Sequence, residues 1–427
     1  IKVIEATKRQ RSRVSDEVEI MAEATHPNVA KLHEVYDSGE AVFLVMEMCS
    51  GGCLAKRVIL SRGLAEPVCA HIFRQVTLAA SFLHSRGIVH RDLKAENIVC
   101  CGEGTDGPSG PHVKLVDFGS ARRFKPGERM TSVVGTLSYM APEVIEKSYT
   151  EACDAWALGI LLYFLFCGFV PFFGEDAQST TEQIMCGYLA FPASSWSKVS
   201  LPPKTLIRKL ATRNVDNRLR PRAALENHWL QQCASGEAGG DKQAAELVLG
   251  VEPVFGERLE AFMRSSATRR LIAYVAGTQL EERSAHALAS LFLSVDEDLD
   301  GRVTGRQVME RMHEDVGGMS SAGLELQMDF GHFVAAVLDP EYCSRDDVSA
   351  DAFEVLDSAC VGEVVLSDVM RLHSTVGVQR STVVTALTAD ALLADAGSLC
   401  PMSLGAFRRV IRDAAAPQVF GGLVGAM

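Results

Sequence analysis

A group of polar and charged residues between positions 92 and 117 has the composition of a group-transfer site. Asp92 ends a His-Arg-Asp tripeptide, Asp117 opens an Asp-Phe-Gly tripeptide, and Lys94 and Asn97 lie between them. The Asp92 carboxylate can orient a hydroxyl group and accept its proton, and Asn97 and Asp117 can hold a magnesium ion. The ammonium group of Lys94 can offset the charge of a phosphoryl group in transfer. Followed by an Ala-Pro-Glu tripeptide at 141–143, this ordered set predicts a phosphoryl-transfer site.

Length and composition indicate a globular protein with more than one domain. The chain has 427 residues, of which 47% are hydrophobic and 22% charged, enough for two or three domains with sizeable cores. The net charge of -12 argues against nucleic-acid partners and against anionic membrane surfaces. A chain with this negative charge is better suited to binding cations or basic protein substrates than to binding anionic partners.

The cysteines and the apolar stretches place the protein in a reducing, aqueous compartment. The 12 cysteines have no zinc-binding spacing, so we expect reduced thiols and a cytoplasmic location. Residues 156–173 contain no charged side chain, but they include two glycines and a proline. We interpret them as a buried helix of a large helical lobe and expect no transmembrane span.

Residues 1 to about 230 resemble the catalytic domain of serine/threonine protein kinases. The resemblance implies an α+β fold of two lobes, with ATP and Mg²⁺ bound between them. It assigns Lys2 to the third strand of the small lobe, where a lysine holds the α- and β-phosphates of ATP. Glu17, on the following helix, is its expected partner, with Glu19 as the rival candidate. Since unpaired buried charges are costly, the pair also reports whether the site is assembled.

The same resemblance assigns the adenine site to the segment that follows residues 42–46. Met46 would guard the back of the pocket, and backbone groups of Glu47 and Cys49 would bind the adenine ring. Cys53 stands where similar kinases usually have a glutamate that contacts the ribose and basic substrate residues. This departure weakens any expectation of a basic substrate preference.

In the resemblance, Asp92, Lys94 and Asn97 are the catalytic residues, and Asn97 and Asp117 carry magnesium. Lys94 at this position is typical of serine/threonine specificity. Two structural contacts are also implied: an ion pair between Glu143 and Arg218, and support of the catalytic loop by Asp154.

The chain opens at the third strand of the resembling fold, with Ile1 in place of a methionine. We therefore expect a fragment whose small lobe lacks the glycine-rich loop that covers the phosphates, and which binds ATP weakly in this form. Any acylation signal at the N-terminus of the natural protein would lie upstream of Ile1.

Residues 231–282 are predicted to form a linker and a junction helix. The linker, up to about residue 246, is rich in Ala, Gly, Gln and Ser. A helical pattern of apolar residues follows, with basic residues between them: Leu259, Phe262, Ile272 and Val275, with Arg264, Arg269 and Arg270. Such a helix can lie in a groove and inhibit an active site, although a plain connecting helix fits the pattern equally well.

Residues 296–307 resemble an EF-hand calcium loop. Asp296, Asp298 and Asp300 occupy alternate ligand positions, Gly301 permits the sharp turn, and the backbone carbonyl of Arg302 is a further ligand. The twelfth position, usually a bidentate glutamate, is Gln307. An amide offers one oxygen and no charge, so we expect one weak calcium site.

Three further loops, at 321–332, 357–368 and 395–406, are placed by their flanking apolar residues. They lack most ligand oxygens: the second has Ser321, Gly323, Glu325 and His332, and the third has Ala359 and Val361 where oxygens are needed. We expect these loops to pack as helix–loop–helix units without binding calcium, in an all-α domain of four units in two pairs at 283–427.

The order of kinase domain, junction helix and EF-hand-like units resembles the calcium-dependent protein kinases of plants and protists. This implies a kinase that phosphorylates protein hydroxyls, whose junction helix binds the kinase domain until calcium removes it. Two alternatives remain open. The chain could be a pseudokinase scaffold, or a constitutive kinase whose EF-hand-like domain only binds partners.

Overall fold

A computed structural model describes most of the first half of the chain and parts of the second. The described residues are 1–5, 8–102, 110–234, 255–265, 267–278, 280, 282–298, 300–312, 319–338, 349–350, 353, 356–357, 363–365, 402–404 and 406–407. They belong to two compact units: residues 1–240 with 298–301, and residues 241–297 with 302–427.

The first unit begins with a small antiparallel sheet and one helix. Strands β1 (Lys2–Glu5), β2 (Leu32–Asp37) and β3 (Ala41–Met46) form the sheet in the order β1-β3-β2, and α1 (Lys8–Glu23) lies between β1 and β2 in sequence. The run of apolar and β-branched residues predicted β3, whose alternate residues Val42 and Leu44 are buried. The β1–β3 register places Lys2 opposite Leu44.

The rest of the unit is mainly helical. Its helices are α2 (Leu54–Ser61), α3 (Glu66–Ser85), α4 (Pro142–Ile145), α5 (Ala152–Cys167), α6 (Ala177–Cys186), α7 (Ala193–Trp196), α8 (Leu201–Leu210), α9 (Pro221–Leu225) and α10 (His228–Ala234), with short 3₁₀ turns at Ala95–Asn97, Leu137–Tyr139 and Val215–Asn217. Every residue of α5 is buried, and this helix packs against α3 and α8. A Cβ atom on Gly159 would lie 3.0 Å from the backbone of Ala211, so glycine permits the close approach of α5 and α8.

The charge-free stretch at 156–173 is a buried helix, as predicted, and ends early. Helix α5 stops at Cys167, because Gly168 has φ of 78° and caps it in the left-handed region. In the described part of the chain, no helix combines the length and the apolar character needed to cross a bilayer.

Two short antiparallel strand pairs position the polar motifs. Strands β4 (Ile88–Val89) and β7 (Arg122–Arg123) pair with each other, and β5 (Ile98–Cys100) pairs with β6 (Val113–Leu115). The catalytic-loop motif lies between β4 and β5, and the Asp-Phe-Gly motif lies between β6 and β7. The pairing therefore brings the two motifs, which are separate in sequence, to the same edge.

The second unit contains six described helices and two small strand pairs. The helices are α11 (Phe255–Arg264), α12 (Ala267–Thr278), α13 (Glu282–Val295), α14 (Gly305–Met312), α15 (Ser321–Leu324) and α16 (Phe330–Val337). The strands are β8 (Val303–Thr304), β9 (Gln327–Met328), β10 (Glu363–Val364) and β11 (Met402–Ser403). Phe292 and Phe333 are fully buried, with ring centroids 5.4 Å apart, in its core.

The strand pairs agree with the predicted positions of the four loops. Val303 is opposite Met328, and Val364 is opposite Met402. Each of these residues is the eighth of its predicted loop, counted from residues 296, 321, 357 and 395. In each strand pair, both residues hold the same position of their predicted loops, which agrees with the predicted spacing. The placement of four helix–loop–helix units stays a prediction.

The predicted junction helix is two helices rather than one. α11 ends at Arg264 and α12 begins at Ala267, and Ser265 donates its hydroxyl to the Phe262 carbonyl at 2.6 Å. A serine that bonds the backbone in this way competes with helix continuation. The apolar stripe is buried within the second unit, where α12 packs against α16 and Leu259, Ile272 and Val275 join its core.

Candidate active site

Lys2 lies between two carboxylates at the edge of the small sheet. Its Nζ atom is 2.7 Å from Glu17 Oε1 and 2.8 Å from Asp117 Oδ1. Glu17 is buried, whereas Glu19 is exposed, so the rival partner is excluded. Burial alone would lower the pKa of Lys2, but hydrogen bonds to the Asp117 and Glu17 carboxylates outweigh it and raise this pKa. Lys2 is therefore a fully charged cation held by α1 and the Asp-Phe-Gly motif.

Asp117 has the complementary shift. Burial alone would raise its pKa, but the hydrogen bond and charge of Lys2 outweigh it and lower the pKa below its ordinary value. Its backbone has φ of 63°, which turns the chain sharply after β6. The Asp117 carboxylate is thus ionised and nearly half exposed, so it is available as a ligand for a divalent cation.

The Asp92 carboxylate is the centre of the catalytic loop. Its Oδ1 atom accepts a hydrogen bond from the Thr136 hydroxyl at 2.8 Å, and Oδ2 lies 2.8 Å from Lys94 Nζ. Lys94 Nζ also donates to Thr136 Oγ1 at 2.6 Å. A hydroxyl group and an ammonium group therefore already lie at hydrogen-bonding distance from Asp92. These are the two interactions that hydroxyl activation and phosphoryl charge stabilisation require.

Asn97 is tied to the same carboxylate. Its Nδ2 atom donates to the Asp92 carbonyl at 2.9 Å and to Asp92 Oδ2 at 3.1 Å. The backbone N–H of Val116 donates to the Asn97 carbonyl at 2.9 Å, which brings Asn97 beside the residue that precedes Asp117. The amide oxygen of Asn97 and the carboxylate of Asp117 are oxygen donors of the kind Mg²⁺ prefers, so the residues present fit this ion.

Asp154 holds the backbone of the catalytic loop in place, as predicted. Its carboxylate accepts hydrogen bonds from the backbone N–H groups of His90 at 2.9 Å and Arg91 at 2.8 Å, and pairs with His84 at 2.9 Å. Burial would raise the pKa of Asp154, but the hydrogen bond and charge of His84, together with His90, outweigh it and lower this pKa. Arg91 has φ of 67°, an unfavourable conformation that the two bonds to Asp154 keep in place.

The predicted hinge residues follow β3. The Glu47 carboxylate pairs with Lys114 Nζ at 2.7 Å, and burial of this lysine, which lowers its pKa, is outweighed by Glu47, which raises it. The Glu47 side chain is thus structural, which agrees with a role for its backbone in adenine binding. Cys49 Sγ lies 3.8 Å from Cys101 Sγ. Cys53 Sγ lies near the carbonyl oxygens of Ala95 and Glu96.

The ion pair between Glu143 and Arg218 forms as predicted. Both guanidinium NH groups of Arg218 contact the two carboxylate oxygens of Glu143, the second at 2.9 Å, and both side chains are buried. Arg218 also donates to the Ala152 carbonyl at 3.0 Å. The pair therefore connects α4, α5 and the turn before α9.

Tyr149 is a residue of this site that sequence reasoning did not find. Its hydroxyl donates to the Ser132 carbonyl at 2.6 Å and accepts from Arg91 Nη1 at 3.2 Å. Arg91 Nε donates to the Ser120 carbonyl at 2.6 Å. Tyr149 thus joins the catalytic loop to the segment between the Asp-Phe-Gly and Ala-Pro-Glu motifs. No motif contains Tyr149, and the contact depends on the tertiary fold.

The predicted calcium ligands come together at the start of their loop. One oxygen from each of Asp296, Asp298 and Asp300 lies within 4.8 Å of the others, and Asp296 is buried. Gly301 has φ of 75°, as the turn after Asp300 requires. Three converging carboxylates fit a hard cation such as Ca²⁺.

Gln307, at the twelfth position, has another partner. Its Oε1 atom accepts from the Thr304 N–H at 2.7 Å and from the Thr304 hydroxyl at 2.9 Å. These bonds cap the start of α14 and compete with a cation for the amide oxygen. The Arg302 side chain donates to Gln327 at 3.2 Å, and its backbone carbonyl is the predicted ligand.

The second predicted loop begins with a helical turn, which keeps its oxygens from converging. Ser321 and Gly323 belong to α15, Glu325 follows it, and His332 pairs with Asp329 at 2.8 Å. Ala359 and Val361, and also Asp395 at the start of the fourth predicted loop, lie outside the described residues. Within the described part of the chain, the only group of three or more His, Cys, Asp or Glu side chains close enough for a metal ion is that of Asp296, Asp298 and Asp300.

Comparison with known proteins agrees with this geometry. Residues 1–230 match the protein kinase domain family. The chain is 30% identical to calcium-dependent protein kinase 10 of Arabidopsis thaliana over 359 residues, which is 81% of this chain and 63% of the relative. It is 28% identical to calcium-dependent protein kinase 5 of Plasmodium falciparum over 392 residues, 89% of this chain and 67% of the relative.

These similarities cover both halves of the chain. Alignments of 359 and 392 residues are longer than the 230 residues of the kinase domain, so they extend into the second unit. The chain spans about two thirds or less of the length of these relatives, and 45% of calcium-dependent protein kinase 27 of Oryza sativa subsp. japonica, to which it is 35% identical. The match over more than half of its length shows that the chain belongs to the protein kinase family, and its similarity to calcium-dependent members includes the part that follows the catalytic domain.

Proposed function

We propose that this protein is a serine/threonine kinase that transfers the γ-phosphoryl group of ATP to protein hydroxyls. The observation that carries the proposal is the contact of Asp92 with both the Lys94 ammonium group and the Thr136 hydroxyl. A carboxylate that binds a hydroxyl and a cation together can orient an attacking hydroxyl beside the group that neutralises phosphoryl charge. The pairing of Lys2 with Glu17 supports an assembled nucleotide site.

Each residue has a distinct role in this mechanism. When bound, MgATP supplies the phosphoryl group, with Asn97 and Asp117 as the ligands for Mg²⁺ and Lys2 for the phosphate oxygens. Asp92 orients the substrate hydroxyl and takes its proton as the new P–O bond forms, while the bond from the γ-phosphorus to the β,γ-bridging oxygen breaks and ADP leaves. Lys94 stabilises the negative charge on the transferred group, and backbone groups of Glu47 and Cys49 bind adenine. Asp154 keeps the loop that carries Asp92 in place through two backbone bonds.

We further propose that calcium regulates this activity. The supporting observation is the convergence of Asp296, Asp298 and Asp300 within 4.8 Å. The proposed layout is a catalytic domain at 1–230, a linker and junction at 231–282, and EF-hand-like units at 283–427. The junction, α11 and α12, would bind the kinase domain at low calcium. A single ion can shift this equilibrium only by the difference of its affinity for the two states.

One experiment separates this proposal from the two alternatives. The full chain is incubated with Mg²⁺ and γ-labelled ATP, with serine, threonine and tyrosine peptides, in calcium or in chelator. Labelling of serine and threonine that rises with calcium supports both proposals. Equal labelling in chelator indicates a constitutive kinase whose second unit binds partners. Nucleotide binding without any labelling indicates a pseudokinase scaffold.

Cytoplasmic proteins are the proposed substrates. Twelve cysteines without paired spacing are typical of a reducing compartment, which supports a cytoplasmic location for the enzyme. Lys94 supports a preference for serine and threonine. Cys53, in place of the usual glutamate, argues against a strong requirement for basic residues around the acceptor.

A further inference from the structure

Two thiols of the first unit lie in contact beside the proposed adenine site. Cys101 donates its S–H group to Cys49 Sγ, and the two sulfur atoms are 3.8 Å apart. Cys49 follows β3 and is partly exposed, whereas Cys101 follows β5 and is 6% exposed. The residues are far apart in sequence, so the tertiary fold creates this pair.

The backbones on either side of the pair are also held together. The Gly51 N–H donates to the Cys100 carbonyl at 3.0 Å, and the Cys100 N–H donates to the Gly52 carbonyl at 2.8 Å. A Cβ atom on Gly51 would lie only 2.6 Å from the Gly102 carbonyl oxygen. The backbone of Gly51 and Gly52 is therefore in direct contact with the backbone of residues 100–102. A disulfide would shorten the sulfur separation from 3.8 Å to about 2 Å, which draws the two segments closer together.

We propose that Cys49 and Cys101 are a site of reversible disulfide formation with glutathione disulfide or a comparable small disulfide. The partly exposed Cys49 thiolate attacks one sulfur of the small disulfide, which forms a mixed disulfide and releases one thiolate. The Cys101 thiolate then attacks Cys49 Sγ, which closes the internal bond and releases the second thiolate. The two protein thiols are oxidised, the small disulfide is reduced to two thiols, and these take up the two protons lost by the cysteines.

The disulfide would act on the nucleotide site, a consequence that rests on the proposed kinase function. Cys101 is fixed by its N–H bond to the His112 carbonyl at 2.9 Å, so closing the sulfur gap moves mainly Cys49. The backbone of Cys49 is the proposed adenine contact, and a change in its position lengthens that hydrogen bond. Oxidation should therefore weaken nucleotide binding several-fold, and reduction should restore it.

The first test follows the disulfide and needs no enzyme activity. The full chain is equilibrated with glutathione disulfide, the remaining thiols are alkylated, and the peptides are analysed without reduction by mass spectrometry. We expect a cross-link between the peptides of Cys49 and Cys101 that disappears in Cys101→Ser and persists in Cys186→Ser, which removes an exposed cysteine of α6. A stable glutathione adduct on Cys49 without the cross-link, or a bridge to Cys53 or Cys100 instead, would overturn the proposal.

The second test measures MgADP binding by calorimetry, which does not depend on phosphoryl transfer. We expect several-fold weaker binding by the oxidised chain, recovery with dithiothreitol, and no effect of oxidation on Cys101→Ser. Equal affinity of the oxidised and reduced chains refutes the switch. If the cross-link forms in a chain that labels no substrate, the kinase proposal fails and the disulfide site stands. If an active chain forms no cross-link, only the disulfide site fails.

Discussion

Glu17 is 4% exposed, and its carboxylate lies 2.7 Å from the Lys2 ammonium group, which connects α1 to the small sheet. Lys2 also reaches Asp117 at 2.8 Å. Lys2 is therefore the residue through which the small lobe and the proposed magnesium ligand are joined. The proposed function depends on these two contacts of Lys2, because they determine where the phosphates bind.

Glu17→Gln tests the ion pair of Glu17 with Lys2 directly. The amide keeps the shape of the side chain but removes the charge that holds Lys2, so Lys2 can pair with Asp117 alone. We expect kcat/KM for ATP to fall by about tenfold or more, equivalent to ~1.4 kcal/mol of transition-state stabilisation. The matched control is Glu19→Gln on the exposed face of the same helix. Equal kinetics for the two variants would show that Glu17 does not position Lys2.

The buried pair of Glu143 and Arg218 should be a large contributor to stability. Glu143→Gln leaves the Arg218 charge buried with an incomplete set of acceptors, which typically costs about 3–5 kcal/mol. Urea unfolding followed by tryptophan fluorescence measures this loss, since all 3 tryptophans lie in the first unit. Arg220→Gln, which breaks the exposed pair with Glu151, should cost at most about 1 kcal/mol. Similar losses in both variants would contradict the structural role of Glu143.

The buried His26 side chain should make the fold less stable in acid. Complete burial lowers the pKa of His26 to about 3 from the ordinary 6.5, and its Nδ1 atom accepts a bond from the Asn28 N–H at 3.0 Å. Below pH 6.5 the unfolded chain binds a proton that the folded chain excludes. Stability is therefore fully present above pH 6.5 and falls as the pH drops towards 3, by at most about 1.4 kcal/mol per pH unit.

The same fluorescence assay at pH 7, 6 and 5 measures this slope. His33, whose pKa burial lowers to about 4, adds to it in the same direction. His26→Asn should reduce the slope of the free energy of unfolding against pH by about 1.4 kcal/mol per pH unit, the value for one proton. This holds whatever the effect of the substitution on stability at pH 7. An unchanged slope would show that His26 takes up its proton in the folded state as well.

Gln307 should limit calcium affinity. Gln307→Glu supplies a second oxygen and a negative charge at the twelfth position, and we expect the dissociation constant to fall about tenfold or more. Asp298→Asn should weaken binding, because it removes one of three converging carboxylates. Calorimetry on the full chain gives these constants. Glu325→Gln in the second loop is the control and should leave the dissociation constants unchanged. Weaker calcium binding by Glu325→Gln would show that the site lies in the second loop.

Much of the catalytic site could be predicted because its residues lie in short motifs of fixed order. Asp92, Asn97 and Asp117 meet because strands β5 and β6 pair, and the family resemblance favoured Glu17 over Glu19. The buried Glu17 and exposed Glu19 agree with that choice. The four loops of the second unit were predicted from their flanking apolar residues, and the pairing of Val303 with Met328 agrees with the spacing of the first two.

The contacts that were not predicted depend on distant parts of the chain. Arg91 and Tyr149 are 58 residues apart in sequence, and Cys49 and Cys101 are 52 apart, so only the tertiary fold brings each pair into contact. The break between α11 and α12 was missed for a local reason. The periodicity of Leu259, Ile272 and Val275 continues across Ser265, whose hydroxyl bonds the backbone and allows the helix to end.

The decisive experiment compares the unchanged chain and Asp92→Asn for transfer of labelled γ-phosphate from MgATP to a serine peptide. The proposed mechanism requires labelling by the unchanged chain and a loss of at least about a hundredfold in Asp92→Asn, with unchanged nucleotide binding. Equal labelling by the two proteins, or none by a natural chain that binds MgATP, would contradict it.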